Sequence, residues 1–119
     1  MTPLATAGAL ALALPGAEER DHRGRPSYRI KGRIFATLHP ADRRMVVKLP
    51  IDERLALTDL DPQSASAVPG AWGRQGWTFV ELARADRRQV ARLLRIAYDL
   101  VLTPKKMARG PGRAPSSER

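Results

Sequence analysis

The sequence predicts an α+β domain, a single antiparallel sheet with helices packed on it. Three observations predict that class. Short runs in which apolar and charged residues alternate fill roughly residues 17 to 49, and Gly, Pro and Asp punctuate them. A continuous apolar run, Leu4 to Leu14, marks one end, and apolar residues with helical spacing, Val90 to Val101, mark the other. At 119 residues the chain fits one domain around one core.

The run Leu4 to Leu14 reads as a core helix, with Thr2 as its cap, Pro3 in its first turn and Pro15-Gly16 as its stop. No Lys or Arg precedes this run, and it is too short to span a bilayer, so the expected location is the cytoplasm. Ala17 to Arg23 reads as a charged edge strand, broken by Gly24 to Pro26. Ser27 to Ile30 follows as a second strand, and Lys31-Gly32 reads as a two-residue hairpin turn because such turns need positive φ. Arg33 to Leu38 is the third strand, His39 to Asp42 a turn, and Arg43 to Leu49 the fourth strand. The third strand is expected at the centre, paired with both neighbours, because both of its faces carry apolar residues.

Those turn lengths predict a register. Tyr28 falls opposite Phe35, Ile30 opposite Arg33, Phe35 opposite Val46, Thr37 opposite Arg44, and Arg33 opposite Lys48. Alternation then puts Ile34, Ala36, Leu38, Met45, Val47 and Leu49 on a core face. The other face carries Tyr28, Ile30, Arg33, Phe35, Thr37, Arg44, Val46 and Lys48.

Past Pro50, Ile51 to Leu60 reads as a short helix with Asp52 and Glu53 near its positive end, closed by Asp61-Pro62. Gln63 to Val68 reads as a loop, and Pro69 to Gly76 as a Gly-punctuated excursion. Trp77 to Leu82 is the fifth strand, with Val80 and Leu82 on one face and Trp77 and Phe79 on the other. In the last helix Asp86 and Gln89 are spaced as a capping box, Val90, Leu93, Leu94, Ala97 and Val101 form the apolar stripe, and Pro104 ends it. Residues 1–104 are thus the expected domain, and 105–119, rich in Gly, Pro, Ser and cations, an expected disordered basic tail.

Charge is the feature that bears on function. The chain has 21 Lys and Arg against 12 Asp and Glu, a formal net charge of +9. Between Arg20 and Lys48 stand nine basic residues and only two acidic ones, Asp21 and Asp42, interleaved with strand-forming apolar residues. Such charge sits on an ordered surface and points to an anionic partner. Cysteine is absent, which excludes disulfides, thiolate catalysis and Cys-ligated metal.

The order and spacing of several motifs resemble a known family. Leu14-Pro15-Gly16 with Glu18-Glu19, then Gly24-Arg25-Pro26-Ser27-Tyr28-Arg29-Ile30 and Gly32-Arg33-Ile34-Phe35-Ala36-Thr37-Leu38, look like the opening of the MmcQ/YjbR family. Pro69-Gly70-Ala71-Trp72-Gly73-Arg74-Gln75-Gly76-Trp77-Thr78 is similar to its Pro-Gly and Trp signature, with Ala71 where an aromatic residue is usual. The matches span roughly residues 10 to 104. The resemblance implies a compact α+β domain of a kind compared to a double-wing DNA-binding arrangement.

The leading expectation is therefore a non-enzymatic binding protein that contacts nucleic acid. Arg33, Arg44 and Lys48 are the candidate phosphate contacts from neighbouring strands, with Arg25 and Arg29 reaching from the edge. Tyr28, Phe35 and Trp77 are candidates for base stacking, and Trp72 for partner contact. Each aromatic taken alone is read more readily as core, Tyr28 and Phe35 packing beneath the chain between Pro69 and Trp77. Arg74, flanked by glycines, can grip phosphate bidentately, but stacking on an indole is the favoured reading. The alternative function is a protein- or peptide-interaction module that uses the same face or the Trp72 to Trp77 loop.

An enzyme finds little support. His22 and His39 lie in separate loops, read as solvated residues, and their spacing matches no zinc motif. Glu18, Glu19 and Asp21 have Arg20 and Arg23 beside them for ordinary ion pairing, and no Ser stands in a nucleophile elbow. No cofactor, metal or membrane partner is expected, and the protein is expected to be a monomer or weak dimer.

Overall fold

The computed structural model describes residues 1–103; the expected tail, 105–119, lies outside the described residues. Six strands form one antiparallel sheet: β1 (Glu18–His22), β2 (Arg25–Ile30), β3 (Arg33–His39), β4 (Arg44–Lys48), β5 (Ala65–Ala67) and β6 (Trp77–Glu81). Their spatial order is β1-β2-β3-β4-β6-β5. Helices α1 (Leu4–Leu12), α2 (Ile51–Leu60), α3 (Ala71–Arg74) and α4 (Arg87–Leu102) complete the chain. The expected α+β architecture and the central place of β3 both hold.

Several strand-and-turn expectations change: Arg25 and Pro26, read as part of a break, belong to β2, and His39, read as part of a turn, ends β3. Ala65–Ala67, read as loop, is a short strand because Ser64 and Asp61 anchor its start while β6 offers a free edge. Ala71–Arg74, read as part of an excursion, closes one helical turn. The hairpin at Lys31-Gly32 has the expected form, with φ of 53° and 78° at its two central residues.

The core lies between the sheet and α1 and α4. Asp86 Oδ1 accepts from the Gln89 backbone N–H at 2.8 Å, satisfying one orphan donor at the start of α4. From there Val90, Leu93, Leu94, Ala97, Tyr98 and Val101 turn toward the sheet. The stripe read from the sequence is complete except for Tyr98, whose hydroxyl donates to the Pro15 carbonyl and so reaches the end of α1. In α1 the small residues Ala7, Gly8 and Ala11 allow close approach, and a Cβ at Gly8 would lie 2.7 Å from the Tyr28 hydroxyl oxygen. Thr2 does not cap α1. Its backbone N–H bonds the Leu82 carbonyl and its hydroxyl the Ala85 carbonyl, each at 2.8 Å, so it ties the chain start to the β6–α4 connection.

The main correction concerns which side chains face this core. Along β2 and β3, Ile30 pairs with Arg33 and Arg29 with Ile34, but Tyr28 pairs with Ala36. Phe35 is thus an extra residue, a β-bulge, and the successive residues Phe35 and Ala36 are both fully buried. One inserted residue inverts the alternation on its hairpin side. Tyr28, Ile30, Arg33 and Phe35 therefore move to the helix side, and Ile34 moves away from it. Ala36, Leu38, Met45, Val47 and Leu49 keep their expected places in the core. The β3–β4 register also slides by two residues, pairing Thr37 with Val46 and His39 with Arg44. The slide arises because Pro40–Asp42 forms a 3-10 turn and Arg43 takes φ of 54°, so the strands rejoin at His39 and Arg44. A two-residue slide preserves the faces.

Phe35 meets Tyr98 edge to face, with ring centroids 5.7 Å apart and planes at 89°. The aromatic residues Tyr28 and Phe35 therefore pack beneath α1 and α4, not beneath the Pro69 to Trp77 segment. Replacing Phe35 with Ala should cost about 3–5 kcal/mol in urea unfolding, the usual range for a fully buried Phe. A loss within about 0.5 kcal/mol, typical of surface positions, would return Phe35 to the exposed face.

Candidate functional site

The sheet has a second face that α1, α2 and α4 do not cover. Val46 marks it, since it stands outside the core cluster that holds both of its chain neighbours, Met45 and Val47. Strand pairing arranges the residues of this face in rows that run across the strands. One row runs Arg20, Ser27, Thr37, Val46, Phe79 and Ser66. Beside it, toward the β3–β4 turn, His22 pairs with Arg25, His39 with Arg44, and Arg44 with Glu81. Continuing the Ser27 and Thr37 pairing by two residues sets Arg25 next to His39. On the other side Glu18 pairs with Arg29, Arg29 with Ile34, and Lys48 with Trp77.

Cations and rings are in contact there. The Arg44 guanidinium carbon lies 4.2 Å from the centre of the Phe79 ring, and Lys48 Nζ lies 5.9 Å from that of Trp77. His39 meets Phe79 edge-on at 6.5 Å, and Trp72 meets Trp77 at 6.5 Å. The Arg29 Nε–H donates to Ser27 Oγ at 3.3 Å, which lays that guanidinium along the sheet. Arg44 has two carboxylate neighbours, Asp42 at 3.5 Å and Glu81 at 3.7 Å, and Arg20 pairs with Glu18 at 3.0 Å. Arg25, Arg29 and Lys48 make no ion pair among the described residues.

Of the residues singled out from the sequence, Arg25, Arg29, Arg44, Lys48 and Trp77 share this face, and Trp72 touches its margin through Trp77. Three do not. Arg33, paired with Ile30, belongs to the helix side at the hairpin end, while Tyr28 and Phe35 are core residues at 2% and 0% exposure. Burial, reinforced by a hydrogen bond to Glu19 and that carboxylate's charge, holds the Tyr28 phenol far above its ordinary pKa. Arg74 ends α3 in solvent, and the cation over Trp77 is Lys48 in place of Arg74.

Two residues of the face were not singled out. Phe79 was legible, because its alternation with Val80 already put it beside Trp77. His39 was not, because the turn was read as starting there, whereas β3 extends to include it. It is half-buried, with Nε2 3.1 Å from Thr37 Oγ1. Burial lowers its pKa below 6.5, the Arg25 and Arg44 charges lower it further, and Asp42 opposes them. Among the described residues, no group of three or more His, Cys, Asp or Glu stands close enough to hold a metal ion. No helix among them is long and apolar enough to cross a membrane.

The family model for YjbR matches residues 12–100, most of the chain. The chain belongs to the YjbR family. No curated protein matches it. Among solved structures, this YjbR chain is similar to Deinococcus radiodurans protein DR2400, described as carrying a DUF419 domain. The two share 18% identity at a TM-score of 0.72, over 100% of this chain and 97% of that one. That likeness shows the shared fold.

The His39 environment gives a direct check. In an NMR titration the His39 ring should titrate below 6.5, and Arg44→Ala should move its midpoint upward by removing a neighbouring positive charge. A depressed His pKa means that the unfolded chain binds more protons. The stabilising contribution is therefore fully present above pH 6.5 and is lost as pH falls through the folded midpoint. Urea stability measured across that window should fall less steeply in His39→Gln.

Proposed function

We propose that this YjbR protein is a non-enzymatic nucleic-acid-binding protein that holds the phosphate backbone on the sheet face that α1, α2 and α4 leave uncovered. The observation that carries the reading is the convergence of Arg25, Arg29, Arg44 and Lys48 on one rigid face, with three of them free of carboxylate partners among the described residues. Arg25 and Arg29 on β2 stand across one intervening strand from Arg44 and Lys48 on β4, about 10 Å away, so they line the face as two positive rows on either side of β3. Phosphate contacts supply affinity without sequence information. Arg44 and Lys48 already lie over Phe79 and Trp77, so those rings hold the cations in place. Trp72, at 61% exposure, is the ring available for stacking on a base. The expectation of no catalytic activity and of a soluble, cytoplasmic protein goes with this proposal.

A second reading is a protein-interaction surface on α2 and α3. Leu55 and Trp72 are 56% and 61% exposed there, and the Arg54 guanidinium joins the two helices by donating to the Gly73 carbonyl. Such an interface would depend weakly on salt, unlike phosphate contact.

Fluorescence anisotropy with single-stranded and duplex DNA and RNA at several salt concentrations separates the two. Arg25, Arg29 and Lys48 changed together to Ala should weaken binding and lower the log-affinity against log-salt slope. The reduction should be about 0.7 per lost contact on single strands and about 0.9 on duplex DNA. Arg87 and Arg88 changed to Ala remove exposed charge from the start of α4 and should leave the slope nearly unchanged. Equal losses in both variants would assign the binding to net charge. Absence of binding at low salt would remove the nucleic-acid reading and favour the α2–α3 surface.

A further inference from the structure

One row of the open face sets two histidines beside two of the cations, Arg25 and Arg44. His22, Arg25, His39 and Arg44 follow one another across β1, β2, β3 and β4, with Glu81 beyond them on β6. Adjacent strands lie about 4.8 Å apart, so Arg25 and Arg44 flank His39 at one strand spacing on either side. A phosphate oxygen above His39 would lie between the two guanidinium-bearing positions, Arg44 being held on Phe79 and Arg25 having no ion pair among the described residues. We propose that Arg25, His39 and Arg44 form a proton-coupled phosphodiester site, in which His39 takes up a proton from solvent as the phosphate binds. The inference rests on the nucleic-acid reading above and adds a pH dependence to it.

The geometry gives the imidazole two distinct nitrogens. Nε2 faces Thr37 Oγ1 at 3.1 Å, and Nδ1 makes no hydrogen bond among the described residues. A neutral ring has one N–H and one bare nitrogen, so it can donate to an anion from Nδ1 only while Nε2 accepts from the Thr37 hydroxyl. Protonation makes both nitrogens donors, Nε2 toward Thr37 and Nδ1 toward a phosphate oxygen.

Before binding, protonation is resisted. Arg25 on β2 and Arg44 on β4 repel an imidazolium, and partial burial withholds solvent from it. Asp42 in the 3-10 turn opposes them, while Glu81 pairs with Arg44 and His22 lies one strand beyond Arg25. Thr37 and Phe79, also against the ring, carry no charge. A bound phosphodiester brings a negative charge into the row, reverses the sign of the local field and adds an acceptor for the new N–H. Binding and protonation then favour each other by the same factor, because linkage is reciprocal.

The test uses an oligothymidylate with no terminal phosphate, so that neither backbone nor bases of the ligand titrate over the range studied. Its affinity is measured by anisotropy at constant ionic strength between about pH 5 and 8, where histidine changes charge. Affinity of the unmutated protein and of His22→Gln should rise as pH falls, approaching about tenfold per pH unit for one proton taken up. His39→Gln should bind with a much flatter pH profile. In parallel, NMR of the unmutated protein should show the His39 midpoint moving upward when the oligonucleotide is saturating, a readout that needs no variant to fold. Binding that is independent of pH, a slope that survives in His39→Gln, or a His39 midpoint unmoved by ligand would each overturn the proton coupling and leave the nucleic-acid reading standing. No binding at any pH would overturn both.

Discussion

The extra residue at Phe35 decides how this sheet is used. A strand of unbroken alternation that kept Ala36 and Leu38 in the core would turn Phe35 outward with Thr37. The bulge removes that conflict by sending Phe35 and Ala36 to the same side, where Phe35 meets Tyr98 of α4. Everything on the hairpin side of the bulge is inverted with it. Tyr28 and Ile30 thereby join the core, while Arg29 and Ile34 take the outer face. The sorting of large apolar side chains from cations thus depends on one local irregularity, held by the packing of an aromatic pair.

Once sorted, the outer face is ordered by its own contacts. Arg44 is stacked on Phe79 and flanked by Asp42 and Glu81, with 28% of its side chain exposed. Ion pairs of this kind at a partly exposed surface are each worth at most about 1 kcal/mol. They are strong enough to hold a guanidinium in place and weak enough to be exchanged for another anion, as the proposed phosphate contact requires. Stacking also limits the side-chain freedom that an arginine would otherwise lose on binding, a cost of about 0.5–1.5 kcal/mol for a long side chain.

Much of this was legible in the sequence, for physical reasons that differ between elements. Helix α4 announced itself through Asp86 and Gln89 and an apolar stripe of helical period, and Lys31-Gly32 announced a hairpin through its need for positive φ. The central place of β3 followed from apolar residues on both of its faces. What could not be read was a count: alternation shows which residues differ in face, yet it carries no mark of where one extra residue has entered. That is why alternation alone places Arg33, Tyr28 and Phe35 with Arg44 and Lys48, whereas His39 escapes because it stands directly before Pro40-Ala41-Asp42 and reads as part of their turn. Arg44 and Lys48 keep their expected face because an error of even length, like the two-residue slide between β3 and β4, leaves faces unchanged, whereas Arg29 reaches that face only through the inversion at the bulge. The short strand β5 escaped notice because Ala65-Ser66-Ala67 has no intrinsic strand preference and pairs only because β6 presents an edge.

The two margins of the sheet differ from its centre. Strand β1 is exposed along its whole length, with Glu18, Glu19 and Asp21 set among Arg20 and His22, while β5 is only three residues long and lies between Pro62 and Pro69. Charged side chains and abrupt ends are what keep one sheet from adding strands of another. A newly made chain whose β1 has paired with β2 therefore offers its neighbours a poor template. Neither margin of the six-stranded sheet offers the long, flat, uncharged edge on which a further strand would grow.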